Sequence, residues 1–139
     1  MAKKNKLTLQ FDGFADMAAR LDELGGDLKA ITEEALQASF DHVTPKLAED
    51  IKPHKRSGMT EASLRKRETV EWDGSVGSIN VGFDIENGGL PSVFLMYGTP
   101  RMKPDRKLYN DIYGAKTKKE IAQIQGDIFA EAIRKKMEG

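Results

Sequence analysis

The stretch that decides the fold reads Asp27-Leu28-Lys29-Ala30-Ile31-Thr32-Glu33-Glu34-Ala35-Leu36-Gln37-Ala38-Ser39-Phe40-Asp41-His42-Val43-Thr44-Pro45-Lys46-Leu47-Ala48-Glu49-Asp50-Ile51. Its apolar positions Leu28, Ile31, Ala35, Leu36, Phe40, Val43, Leu47 and Ile51 step by three or four almost throughout, which lines one face of an α-helix. Asp27 can accept a hydrogen bond from the first free amides and so start that helix. Pro45 removes one backbone bond and crowds the preceding turn, which predicts a kink near Asp41 to Thr44 inside one long helix.

Toward the N-terminus, Lys6 to Phe11 alternates with Leu7, Leu9 and Phe11 on one face, the pattern of a half-buried strand. After Asp12-Gly13, the residues Phe14, Met17, Ala18, Leu21 and Leu24 recur at helical spacing, with Asp12 as the expected cap and Gly25-Gly26 as the stop. Toward the C-terminus, Pro53 to Thr60 is a polar loop with a turn glycine. Thr69 to Trp72 and Val76 to Ile85 then predict a β-hairpin about Asp73-Gly74, with Ile79, Val81, Phe83 and Ile85 facing inward. Pro91 to Tyr97 is too short for periodicity to choose between a short buried helix and a strand, and a helical turn entered at Pro91 is the favoured reading. Leu108 to Tyr113 predicts a short helix ended by Gly114, and Thr117 to Met137 a terminal helix. There Thr117 and Glu120 have capping-box spacing, and Ile121, Ile124, Ile128 and Ala132 form the apolar stripe. The expected class is α+β, a small antiparallel sheet packed against a long kinked helix and a C-terminal helix.

A chain of 139 residues has the size of one ordinary domain, so a single domain over 1–139 is expected, burying roughly two-thirds of its unfolded surface. Lys plus Arg and Asp plus Glu balance at 22 each, which leaves no global field to hold a polyanion. The absence of Cys excludes disulfides, thiol nucleophiles and thiolate metal sites, and it fits a reducing compartment. Residues 7–11 alternate instead of forming the apolar core of an export signal, and no apolar run approaches the roughly 20 residues that span a bilayer. A soluble chain without a membrane partner is expected.

Nothing in the sequence assembles a catalytic constellation, so no enzyme, metal or cofactor is expected. The two histidines, His42 and His54, have neither the spacing nor the flanking Glu of a helical zinc site, and they read as a helix-surface and a loop residue. Ser57-Gly58 lacks the Gly-x-Ser-x-Gly elbow of a nucleophile. The pairs Glu33-Glu34 and Glu49-Asp50 read as a solvated helix face. No glycine cluster sits between a strand and a helix as a phosphate cradle would.

Two segments remain. Lys52, Lys55, Arg56, Arg65, Lys66 and Arg67 form a basic run interrupted by one acid, Glu61, from which Arg65, Lys66 and Arg67 are candidate contacts to duplex DNA. The aromatics that stack single-stranded bases are missing from it. Val93-Phe94-Leu95-Met96-Tyr97-Gly98-Thr99-Pro100-Arg101-Met102-Lys103-Pro104 is an apolar run broken by a Gly-Thr-Pro turn, an anchor beside a stiff exposed loop. Such a segment suits a surface that holds another protein.

With Pro53, Arg56-Ser57-Gly58-Met59 and Ser63-Leu64 on one side and Tyr97-Gly98-Thr99, Met102 and Pro104 on the other, the chain resembles the tail-completion or head-tail joining (tail terminator, neck) proteins of long-tailed bacteriophages. The resemblance spans nearly the whole chain. His54-Lys55-Arg56-Ser57 stands where that family usually has Asp-Thr before the glycine, and Asp105-Arg106-Lys107 stands where it usually has Arg-Pro-Phe. The resemblance implies a virion structural protein of the neck or tail, assembled in the host cytoplasm. It implies a homo-oligomeric ring, hexameric in that family, between the tail tube protein and the head connector or stopper. Lys55, Arg56, Ser57, Gly58 and Met59, with Tyr97, Gly98, Thr99, Arg101 and Met102, are then the candidate partner or subunit interface. The competing expectation is a small DNA-binding or DNA-packaging accessory protein using residues 52–67, with duplex DNA as its partner.

Overall fold

The side chain of Asp27 accepts a hydrogen bond from the Ala30 amide at 3.0 Å, and the helix it starts, α2, runs unbroken from Leu28 to Ile51. This computed structural model describes residues 5–9, 13–54 and 58–138. Pro45 lies inside α2 and has no N–H to give the Asp41 carbonyl. The helix tolerates this because both residues are on its exposed side.

Around α2 the chain is α+β. In order it forms β1 (Asn5–Leu7), α1 (Phe14–Glu23), α2, α3 (Met59–Ala62), β2 (Glu71–Asp73), β3 (Val76–Val81), α4 (Leu90–Tyr97), α5 (Arg106–Tyr113) and α6 (Ala115–Glu138), with 3-10 turns at Lys52–His54 and Ile85–Asn87. The strands make one antiparallel sheet in the order β1-β3-β2, with Leu7 opposite Ile79 and Asp73 opposite Val76. Gly74 and Ser75 form the two-residue hairpin turn, and the positive φ of 62° at Gly74 alone is the II′ pattern.

α2 is buried on more than one face because it is the spine of three apolar clusters. Leu36 and Phe40 pack under Ile79 and Val81 of the sheet. Ala35 meets Leu21 of α1 and Phe129 of α6. Farther along, Val43, Leu47 and Ile51 meet Leu64, Phe83, Met96, Leu108, Ile112 and Ile121. A polar tie crosses this apolar interior: Gln125 of α6, fully buried, donates to the Thr8 carbonyl at 3.0 Å and to Ser39 Oγ at 3.1 Å. That tie fixes α6 against both α2 and the end of β1.

Several sequence expectations shift, the hairpin among them: its first strand is Glu71–Asp73 and its turn Gly74-Ser75, one residue beyond the expected Asp73-Gly74. The first strand covers only Asn5–Leu7 among the described residues, and the expected cap Asp12 lies outside them, as does Phe11. Gly13, at φ 83°, takes the cap position of α1. α6 begins at Ala115, so Thr117 and Glu120 do not cap it: the Thr117 hydroxyl donates to the Asn110 carbonyl at 2.8 Å, closing off the preceding helix. The buried face of α6 is Thr117, Ile121, Gln125 and Phe129, with Ile124, Ile128 and Ala132 half-buried beside it. Ile85 sits in the 3-10 turn after the sheet and not in β3.

Candidate interaction surface

α4 is a short helix with an apolar residue at almost every position, entered at Pro91 and closed by Gly98. One side of it is core: Met96 is buried with Leu47 and Ile51, and Ser92 turns its hydroxyl back onto the Gly89 carbonyl. The other side is not covered. Leu90, Phe94 and Tyr97, spaced by four and three, form one helical face, and they are 50%, 47% and 60% exposed.

The chain brings a methionine to each end of that face. At its N-terminal end, the Thr60 hydroxyl donates to the Gly88 carbonyl at 3.1 Å, which holds α3 and its exposed Met59 against the glycine joint before α4. A side chain at Gly88 would meet the Met59 carbonyl at 3.2 Å, so glycine is what lets the two segments touch. At the C-terminal end, Gly98 turns the chain so that Thr99 and Met102 exchange backbone hydrogen bonds of 2.8 and 3.1 Å across the exposed Pro100-Arg101 turn. The Asp105 amide then returns to the Leu95 carbonyl at 2.7 Å, which pins the loop to the helix it left.

Asp105 joins the two candidate loops. Its carboxylate caps α5 by accepting from the Leu108 amide at 3.1 Å, and it also pairs with His54 Nε2 at 2.6 Å. Burial raises its affinity for a proton, yet the bonds from His54 and Leu108 outweigh this and hold the carboxyl below its ordinary range. His54 is therefore a brace between the segment after α2 and the Gly98 loop. On the same flank, Tyr97, Tyr109 and Tyr113 lie in a row, the first pair edge to face with ring centroids 5.6 Å apart and the second tilted at 5.1 Å. Burial, with Tyr97 beside it, pushes the Tyr113 hydroxyl up to about 12, so it stays a donor.

Of the interface candidates, Gly58, Met59, Tyr97, Gly98, Thr99, Arg101 and Met102 thus converge on α4 and its ends. Lys55, Arg56 and Ser57 lie outside the described residues. The DNA candidates divide. Lys66 and Arg67 are exposed, but the Arg65 side chain is 13% exposed and faces Glu68 at 3.1 Å and Asp84 at 3.8 Å within its own fold. Lys52 pairs with Glu49. Leu90, Phe94 and Asp105 belong to this surface, although no signal within an apolar run separates its exposed members from its buried ones.

The carboxylates expected to be solvated include two that are not. Glu33 accepts from the Trp72 indole at 2.7 Å, across α2 and the hairpin. Asp50 is buried, receives the Lys107 ammonium at 2.6 Å and shares a hydrogen bond with Asp111. Burial first, then the Asp111 carboxyl, pushes Asp50 up to about 6, while Asp111 is held low by the bond from Asp50 and by Lys107. A folded-state pKa above the unfolded 3.8 stabilises the fold below that value, and this stabilisation is lost as pH rises through about 6. Relative to Asp50→Asn, which keeps the shape without the charge, the wild-type chain should lose on the order of 2 kcal/mol between pH 4 and 7. Urea midpoints of the two proteins across that window measure it. A constant difference would place the shared proton elsewhere.

His42 and Lys46 of α2 both meet Glu120 of α6, at 3.1 and 3.0 Å, and so tie the two helices together. Among the described residues no group of three or more His, Asp or Glu is arranged to hold a metal ion, and no helix is long and apolar enough to cross a membrane. Comparisons of the chain with protein-family models, with curated proteins and with solved structures find no match.

Proposed function

We propose that this chain is a virion structural protein of the neck or tail of a long-tailed bacteriophage. It assembles with copies of itself into a ring, hexameric by its resemblance to tail-completion proteins, that finishes the tail tube and joins it to the head connector. Its work is holding partners in register and not catalysis, and its place is the virion after assembly in the host cytoplasm. One observation carries this proposal. The two segments that bear the resemblance, Gly58-Met59 and Tyr97 to Met102, lie far apart in the chain yet flank one exposed apolar helix face, α4.

That arrangement supports a contact surface on physical grounds. Leu90, Phe94, Tyr97 and the two flanking methionines are all large apolar side chains left exposed side by side, the kind of patch that marks a contact surface. The Thr99–Met102 bridge and the His54–Asp105 brace stiffen its ends, so little ordering remains to be done on docking. Electron microscopy decides the matter. The purified protein should form rings, and virions made without it should show heads and tails that fail to join. Ordinary joining in its absence, with no density for it at the tail end, would remove the proposal.

A further inference from the structure

The charges of the chain balance as a whole but not along it. Between 98 and 119 stand seven Lys and Arg against two Asp, so the remainder carries an acidic excess. Both acids are engaged inside the fold: Asp105 caps α5 and pairs with His54, and Asp111 accepts from Lys107 at 2.9 Å. Lys107 also meets Asp50. The other six cations, Arg101, Lys103, Arg106, Lys116, Lys118 and Lys119, are exposed and, among the described residues, pair with no acid.

These cations form one band. Arg101 and Lys103 lie in the turn that the Asp105 amide pins to α4, and Arg106 follows at the start of α5. One turn on from Arg106, Asn110 shares with Lys116 and Lys46 the wall of a recess of about 280 Å³ where α2, α5 and α6 meet. Lys119 stands one turn farther along α6 than Lys116. Local chemistry argues against this placement. Neither α5 nor α6 has an acid in its first turn, and Arg106, Lys116 and Lys118 crowd the end of each helix at which the dipole repels cations. A local rule broken with no partner inside the fold to offset it marks a working surface.

We infer that the band from Arg101 to Lys119 holds the phosphate backbone of a duplex nucleic acid without reading its sequence. The inference goes beyond the neck assignment and does not rest on it. Composition of the surface selects this partner over an acidic protein. Contacts between proteins bury aromatic and Met side chains at their centre and are depleted in Lys, and from 103 to 136 no large apolar side chain is exposed among the described residues. Contacts to a duplex are polar and strongly positive, which is what the band offers. The same absence of an exposed aromatic ring leaves nothing on which an unpaired base could stack, so the backbone of a duplex is the match.

Fluorescence anisotropy of a labelled DNA duplex of about 30 base pairs, titrated with the full chain between roughly 50 and 200 mM salt, tests this. The slope of log K on log salt should be about −5, as roughly −0.9 for each of six phosphate contacts requires. Two duplexes of unrelated sequence should bind within about threefold of each other. The triple variant Lys116→Ala, Lys118→Ala and Lys119→Ala should flatten the slope by about 3 and weaken binding roughly 100-fold or more at about 0.1 M salt. It should melt no lower than the wild type, because it removes cations from the start of a helix and adds a strong helix former. That separates a lost contact from a lost fold. An RNA duplex run beside the DNA tells which polymer fits better, and a preference for either keeps the phosphate contact. No binding at low salt, or binding unchanged in the triple variant, would overturn the inference. So would binding lost instead with Lys66→Ala and Arg67→Ala, which would move the contact to the segment before the hairpin. Equal affinity for a polyglutamate of matching charge would overturn it as well, making the band a seat for an acidic protein.

Discussion

Gly98→Ala should destabilise the protein by about 3 kcal/mol, because two independent penalties fall on one atom. Gly98 holds φ 77° and ψ 173°, a region that residues with a side chain reach only under strain, at roughly 1–3 kcal/mol. A Cβ there would also stand 2.9 Å from the Met102 carbonyl oxygen and 3.0 Å from the Pro104 nitrogen. Those are backbone atoms, locked by the Thr99–Met102 exchange and by the Asp105 return to Leu95, so they cannot swing aside as a side-chain tip would. Gly25→Ala is the control. Gly25 has a similar φ of 76° with nothing within 4 Å of the added carbon, and it should lose only about 1 kcal/mol. Urea denaturation of both variants measures the difference. Equal losses would mean that the loop after α4 gives way freely and is not the rigid end of a binding face. A crowded loop should also lose self-association together with stability, whereas Gly25→Ala should not.

The parts of this fold that could be read from sequence are those in which local chemistry and tertiary structure agree. Asp27 caps α2 and Pro91 opens α4, each by a rule that acts within a few residues, whereas the hairpin turn falls at Gly74-Ser75, one residue beyond the expected Asp73-Gly74. Where a distant partner competes, local rules mislead. Thr117 and Glu120 have the spacing of a helix start, but Thr117 serves the carbonyl of the helix before it and Glu120 serves His42 and Lys46 on α2. Gln125 is polar by composition and central by position, since its partners Thr8 and Ser39 lie on other elements. Asp50 looked solvated because Lys107 and Asp111 are distant in sequence. The α4 surface was hidden for the opposite reason. Its run is apolar on every side, so periodicity cannot separate Met96, which is buried, from Phe94 and Tyr97, which are exposed.

Phe129→Ala should be the most damaging single truncation, with an expected loss of about 3–5 kcal/mol. Phe129 has no exposed surface and meets Phe14 edge to face, with centroids 5.6 Å apart and planes at 88°. It sits where α1, α2 and α6 join, beside Leu21 and Ala35. Alanine there leaves a void that three helices must close at once, while Gln125 and its two hydrogen bonds one turn earlier hold α6 in place and limit that relaxation. Such a loss is a large part of the roughly 5–15 kcal/mol that keeps a domain folded. The same substitution at Phe94 makes the contrast: with 47% of the side chain's residue exposed, it should cost less than about 1 kcal/mol in the isolated chain. Thermal unfolding at low protein concentration, where copies are separated, should therefore rank Phe129→Ala far below Phe94→Ala. At high concentration the ranking should narrow, because assembly adds stability by mass action to every chain that keeps Phe94, Phe129→Ala included, and not to Phe94→Ala. If the melting point of the wild type does not rise with concentration while that of Phe94→Ala stays level, the exposed aromatic on α4 carries no contact between copies. If Phe129→Ala melts with the wild type, the three helices do not share the core described above.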